Sequence, residues 1–314
     1  MARKKKRYQS LPPQELDRWM EESREMLLVD TLPPEQYERR HLPEALNLCV
    51  FEVVFLEEIR NLVPDRGHPI VVYGDCWESF EAAAAAEKLV RDGYQNVFTL
   101  EGGICGWQEA GFEMEGSALD CPLESSDQFR IDRSAYTLDT DRCWLRWIGR
   151  NANGAHTGTL RIRSGSISPQ GKTGFRGVFT VDLTSMTNED VEDPSLRRVL
   201  IEHLMSDDFF FVHEHPEAVF TLRSMRFDPK ADPGSTNCEI SGRLNLRGTG
   251  ADLRFPATVS RLPDDEISAE AHFDFDRTRW GAIYGSGKFF RYLGMHLVYD
   301  DVTVQMHLVA RPEN

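Results

Sequence analysis

Cys76 is the residue in this chain best placed to act as a nucleophile. It follows the strand-like run Val71-Val72-Tyr73-Gly74-Asp75 and precedes a helix-forming stretch that starts at Glu81. A thiol in a loop between the carboxyl end of a strand and a helix meets backbone N–H groups and the positive end of the helix dipole. Parallel sheets gather their ligands in such loops. The local charges act the other way. Asp75, Glu78 and Glu81 are all acids, and carboxylates disfavour a thiolate and repel an anionic sulfur donor. Cys105, inside Gly102-Gly103-Ile104-Cys105-Gly106-Trp107, reads either as a resolving thiol for Cys76 or as a half-buried packing residue, the usual fate of a free cysteine.

Farther along, histidines and phenylalanines replace thiols as the residues of interest. His213 and His215 stand two apart, which on a strand faces them the same way, with His203 upstream. No cysteine or carboxylate pattern completes a metal site around them, so neither a metal nor a cofactor is expected. The run Ser206-Asp207-Asp208-Phe209-Phe210 sets adjacent aromatics between a helix and a strand, where they can pack as a plug or lid.

The elements that would position these residues fall into two textures. In the first, helix-forming runs (Leu11 to Glu22, Pro33 to Tyr37, Val53 to Leu62, Glu81 to Arg91) alternate with short apolar strands at Met26 to Asp30, Pro69 to Tyr73 and Asn96 to Leu100. The alanine-rich Glu81 helix has near-ideal propensity and stops at Gly93. Strands alternating with helices predict a parallel sheet with helices on both faces. The second texture is period-two alternation: Ile240, Gly242, Leu244 and Leu246; Ile267, Ala269, Ala271, Phe273 and Phe275; Val302, Val304, Met306, Leu308 and Ala310. Turns at Asn151-Ala-Asn-Gly154, Gly248-Thr-Gly250 and Pro263-Asp-Asp265 separate such runs, and one helix, Pro194 to Met205, interrupts them. This pattern predicts about eight antiparallel strands in a barrel or two-sheet sandwich. The expected division is a tail and helix over 1–23, an α/β domain over 24–116, a linker over 117–133 and an all-β domain over 134–314.

The 314 residues suffice for two domains, and their 40% hydrophobic and 28% charged content is that of a water-soluble globular chain. A net charge of −15 repels phosphate backbones and anionic headgroups, so nucleic acid is not an expected partner. The basic run Arg3 to Arg7 reads as a solvated tail. No apolar stretch approaches the ~20 residues of a membrane span. No apolar region follows the basic start as it would in a signal peptide, so a cytoplasmic location is expected. Six scattered cysteines without a C-x-x-C then read as free thiols.

Over residues 24–116 the chain resembles the rhodanese (sulfurtransferase) family. The residues that carry this are Leu28-Val29-Asp30, Glu35-Gln36-Tyr37, His41-Leu42-Pro43-Glu44-Ala45, the strand and loop around Cys76, Gly93-Tyr94, and Leu100-Glu101-Gly102-Gly103 with Gly106-Trp107. The resemblance implies an α/β sulfurtransferase fold with a persulfide-carrying cysteine directly after the strand. Aligned by the strand that position is Gly74, and aligned by the helix end it is Cys76. The arginine that closes the family's loop is absent, with Ser79 or Glu81 in its place; Trp77 is bulky beside the sulfur site, and Leu32 stands where the family has a further arginine. Two readings follow: a structural module with a bystander cysteine, or a sulfur carrier on Cys76 that would need a thiol or sulfur-donor partner.

Over about residues 134–311 the chain is similar to the YceI family. The supporting motifs are Tyr136 to Asp139, Trp147-Ile148-Gly149, His156-Thr157-Gly158, Phe179 to Asp182, the Asp-Asp-Phe-Phe run and Ser241 to Gly248. The similarity implies an eight-stranded lipocalin-like antiparallel barrel holding an isoprenoid or another apolar small molecule. Candidate liners are Trp147, Phe179, Phe209, Phe220, Phe255, Phe273 and Phe275, with His156 as a polar handle. The alternative is that these side chains fill the interior, as in small barrels. The glycine-containing stretch Trp280 to Phe290 is a candidate gate, and the chain is compatible with a homodimer.

Overall fold

The computed structural model describes residues 8–77, 79–119, 135–170 and 174–313. The basic run Arg3 to Arg7, Glu78, Cys121 and most of the expected linker lie outside the described residues. The chain divides into two units, Met1–Glu124 and Ser125–Asn314.

The first unit is built on strands β1 (Gln9–Leu11), β2 (Leu27–Asp30), β3 (Leu46–Asn47), β4 (Ile70–Tyr73) and β5 (Val97–Leu100), arranged β1-β5-β4-β2-β3. Each pairing is parallel. All four residues of β4 are fully buried, as a central strand covered on both faces requires. Their alternation sorts the core. Val71 and Tyr73 pack with Leu28, Leu100, Leu16 and Trp19 of α1 (Pro13–Glu21), and Ile104 and Trp107 of α5 (Gly103–Glu109). Ile70 and Val72 point oppositely, toward Phe55 and Ile59 of α3 (Phe55–Leu62) and Ala85 and Leu89 of α4 (Glu81–Arg91). A short α2 (Pro34–Arg39) follows β2. One expectation is corrected. Leu11 does not open a helix but ends β1, buried opposite Leu100, and the helix begins only at Pro13, whose fixed φ suits the first helical position. The sheet therefore starts upstream of residue 24.

In the second unit, β7 (Trp144–Asn151), β8 (Gly154–Gln170), β9 (Gly174–Asp182), β10 (Glu217–Phe227), β11 (Cys238–Leu246), β12 (Thr249–Arg261), β13 (Ile267–Asp276) and β14 (Asp301–Pro312) pair antiparallel in sequence order. β14 returns to β7, with Thr303 opposite Ile148 and His307 opposite Trp144, closing an eight-stranded barrel. The short β6 (Tyr136–Leu138) bridges β14 and β8 at one end. Bulges after Ile162 in β8 and Leu222 in β10 let these long strands bend around the barrel. Closure also removes the unpaired edges of an open sheet.

At the end of the barrel marked by the Asn151/Gly154 hairpin, three segments between strands contribute residues to the lining of the interior. They are α6 (Pro194–Met205), the chain over 206–216, and the chain over 277–300. Asp193 caps α6, its carboxylate accepting from the N–H groups of Ser195 and Leu196 at 2.8 and 3.2 Å.

Candidate functional site

The barrel encloses a cavity of about 430 Å³. The period-two residues supply its wall: Ile240, Leu244, Ile267, Phe273, Phe275, Val302, Val304 and Met306 all line it. Aromatic rings thicken one side, with Phe255 stacked on Phe273 at 4.2 Å and Phe220 tilted between Phe255 and Phe179 at 5.7 and 6.4 Å. Trp147, His156 and Phe209 complete the set of sequence candidates found on the lining. Trp147 owes its place to Gly158, since a Cβ there would overlap the Thr187 carbonyl and press on the indole. The buried Trp147 Nε1–H has no acceptor among the described residues.

Polar groups gather at the mouth. His156 Nδ1 lies 2.7 Å from Asp190 Oδ2, and Asp190 also accepts from the Thr157 N–H at 2.7 Å and from the Asn188 amide at 2.6 Å. Burial raises the Asp190 carboxyl, but these bonds outweigh it and hold the group below its ordinary range. Phe209 is buried against His203 at 5.1 Å and Tyr284 at 5.2 Å, with the Arg277 guanidinium 5.4 Å from its ring. His203 meets Asp208 at 3.1 Å. His213 and His215 lie in a turn that precedes β10, not on a strand, so the argument that they face the same way does not apply. His215 packs instead on Phe211 and Gly248.

Arg277 and Arg247 were not legible as mouth residues. Arg277 is fully buried and donates to the carbonyls of Tyr299 (3.2 Å), Tyr284 (2.7 Å), Val298 (3.3 Å) and Ala282, with Asp300 at 3.8 Å. Arg247, in the tight β11–β12 turn, donates to Gly281 at 2.9 Å and to Asp207. Trp280 is fully buried and donates to the Leu244 carbonyl at 2.8 Å. The stretch expected as a flexible gate is thus stapled at its start, because a planar guanidinium satisfies several loop carbonyls at once. Their acceptors lie from 5 to 40 residues away along the chain and are backbone carbonyls, which leaves no mark at either arginine in the sequence.

In the first unit, Cys76 lies three residues past β4. Its loop is held by Ile104 N–H to Gly74 O and Cys105 N–H to Asp75 O, both 3.0 Å. The approach depends on Gly102 and Gly103, both left-handed (φ 71° and 55°), and a Cβ on Gly103 would strike the Gly74 carbonyl. Ser79 closes the loop, its hydroxyl donating to the Cys76 carbonyl at 2.9 Å. Trp77 folds over Gly102 and donates to Glu109 at 3.3 Å. Burial pushes the Asp75 carboxyl up, partly offset by Arg40, 3.4 Å away on the chain after α2. Burial also pushes the Cys105 thiol up to about 11, with Asp75 and Cys76 adding to the effect, so Cys105 is a protonated thiol at neutral pH.

A family model described as a YceI-like domain matches residues 136–310. One described as a rhodanese-like domain matches residues 12–110. The thiosulfate sulfurtransferase GlpE of Coxiella burnetii is 28% identical over 94 residues, covering 30% of this chain and 82% of that relative. Among solved structures, a polyisoprenoid binding domain from Saccharophagus degradans, implicated in plant cell wall breakdown, is 19% identical with a TM-score of 0.43, covering 57% of this chain and 99% of its own. BcnA of Burkholderia cenocepacia matches at 18% identity and a TM-score of 0.42, over 55% of this chain and 98% of its own.

Proposed function

Since this chain belongs to the YceI-like family and carries a rhodanese-like domain ahead of the barrel, we propose that it binds and carries an isoprenoid or similar lipid-like ligand. The cavity carries this reading. Its volume of about 430 Å³ falls within the ~300–1,000 Å³ usual for ligand sites. A wall of aliphatic and aromatic side chains buries hydrocarbon without many polar contacts. Side chains that simply filled the barrel would leave no such space. Trp147, Phe179, Phe209, Phe220, Phe255, Phe273 and Phe275 are the proposed hydrocarbon contacts. His156 and the unpaired Trp147 N–H are the groups suited to a single oxygen on the ligand.

The rhodanese-like domain acts in this reading as a module with impaired sulfur transfer. The loop after Cys76 offers Ser79 and Glu81 where the family has an arginine, and the nearby Arg40 is engaged by Asp75. The alternative is an active persulfide carrier on Cys76, favoured by the likeness of this domain to a protein named a thiosulfate sulfurtransferase over most of that protein's length.

Native mass spectrometry of gently purified full-length protein, with added farnesol as the probe, tests the carrier. A bound apolar molecule or a saturable farnesol adduct is expected. A barrel that stays empty in both cases overturns the reading. On the same preparation, thiosulfate and cyanide should give background thiocyanate and no persulfide on Cys76, equal to Cys76→Ser; thiocyanate that depends on Cys76 would replace impairment with the active alternative.

A further inference from the structure

The barrel mouth exposes apolar side chains on two segments that meet where the His203 and Tyr284 rings lie 4.7 Å apart. α6 has no buried residue despite its apolar content, and Leu196, 61% exposed, and Val199 point to solvent. On the chain over 277–300, Phe289, Tyr292 (100% exposed), Met295 (76% exposed) and Tyr299 do the same. Elsewhere among the described residues of this unit, the large apolar side chains that are exposed are Trp144 and Val178. An apolar patch gathered in one place marks an interaction surface.

The patch continues into the cavity. Met295 and Tyr299 are exposed and also line it. Leu200, one helical turn after Leu196, lines it from α6. Apolar surface therefore runs from outside the rim to the interior. Two of the rim's cations have acidic neighbours, Arg198 facing Glu202 at 3.9 Å and Lys288 held by Asp276 and Asp300 at 2.7 and 3.2 Å; Arg291 is exposed within the patch, and Asp207, Asp208 and Glu214 are exposed on the adjoining chain. With a chain net charge of −15, the attraction available here is apolar, which suits a zwitterionic surface and not an anionic one.

We propose that this rim docks on the surface of a zwitterionic lipid bilayer, so that the ligand passes between bilayer and cavity without entering water. The inference rests on the carrier reading. Tyrosine and phenylalanine suit the headgroup boundary, and a helix lying in that plane buries its apolar face there. Direct passage matters because every isoprene unit exposed to water adds to the barrier against release.

The test uses full-length protein, phosphatidylcholine vesicles and two probes: farnesol, measured without vesicles, and a fluorescent long-chain polyprenol loaded in the vesicles. Wild type should float with the vesicles, and polyprenol transfer should accelerate with vesicle concentration. The pairs Leu196→Asp with Val199→Asp, and Phe289→Asp with Tyr292→Asp, should each lower flotation and transfer by about tenfold or more while farnesol binding is unchanged. Val178→Asp, on the outer barrel wall, should behave as wild type. Transfer independent of vesicle concentration, or rim variants that float normally, would overturn docking. So would binding confined to anionic vesicles, or a rim effect seen only as loss of self-association without vesicles. Failure of wild type to bind farnesol would count against the carrier reading instead, and flotation would still decide docking.

Discussion

Asp30 ends β2 with its carboxyl fully buried. The Leu32 N–H donates to Oδ1 at 2.8 Å, but Leu32 itself stands where the rhodanese resemblance expects an arginine. Burial therefore dominates and pushes the carboxyl up to about 6, against the Leu32 bond and the His41 charge that lower it. The sign follows from linkage. Below pH ~4 both folded and unfolded chains hold the proton. Between ~4 and ~6 the unfolded chain releases it while the folded chain keeps it, so stability falls as pH rises, by roughly 3 kcal/mol once both have ionised. Asp30→Asn keeps an oxygen for Leu32 and removes the ionisation. Urea unfolding, followed through the rhodanese-like domain, should show the variant equal to wild type near pH 4 and more stable by about 2–3 kcal/mol at pH 7. A constant difference across that range would show that the Asp30 proton is not the cause.

At the scale of elements, legibility depended on whether a signal was local. The Cys76 loop could be read because a buried four-residue strand, two glycines and an alanine-rich helix each announce themselves over a few residues. The barrel wall could be read because period-two runs such as Ile267 to Phe275 survive as cavity lining. β1 was missed because three residues carry no period, and Leu11 takes its meaning from Leu100 in a distant strand. The arginines of the mouth were missed for a similar reason, although the Asp-Asp-Phe-Phe run and the 280–290 stretch pointed to the mouth itself: Arg277 reads as solvent-facing until the carbonyls of 282–299 are folded around it. These bonds make Arg277 the staple of the mouth, which predicts a large effect of removing it. Arg277→Met should leave four carbonyls without their donor, remove one of the two cations beside Asp300, and lower barrel stability by about 3–5 kcal/mol in urea unfolding. Arg277→Lys should recover only a small part, because an ammonium cannot span the same set of acceptors. Near-wild-type stability of the lysine variant would show that charge alone, not the fork of donors, holds the segment.

For the whole molecule, each hydrophobic core belongs to one unit. The barrel core runs from Tyr136 to Ala310, while the two cores flanking the parallel sheet lie within residues 11–107. A ligand that occupies the barrel cavity touches only the first of these. Binding to the folded state alone adds RT ln(1 + [L]/Kd), about 2.7 kcal/mol at a hundredfold excess over Kd. Amides that exchange only through global opening of the barrel should then slow by about a hundredfold. Strands β13 and β14 are the places to look, since they form a continuous ladder from Ile267–Ala310 to Asp276–Asp301. Amides of β2 and β4 in the parallel sheet should exchange at the same rate with and without ligand. Hydrogen exchange with farnesol at saturation measures both sets in one experiment. Protection confined to the barrel would mean that cavity occupancy is felt by the unit that holds it. Equal slowing in β4 would show that the two units open together, and that the sulfurtransferase-like fold senses what the barrel carries.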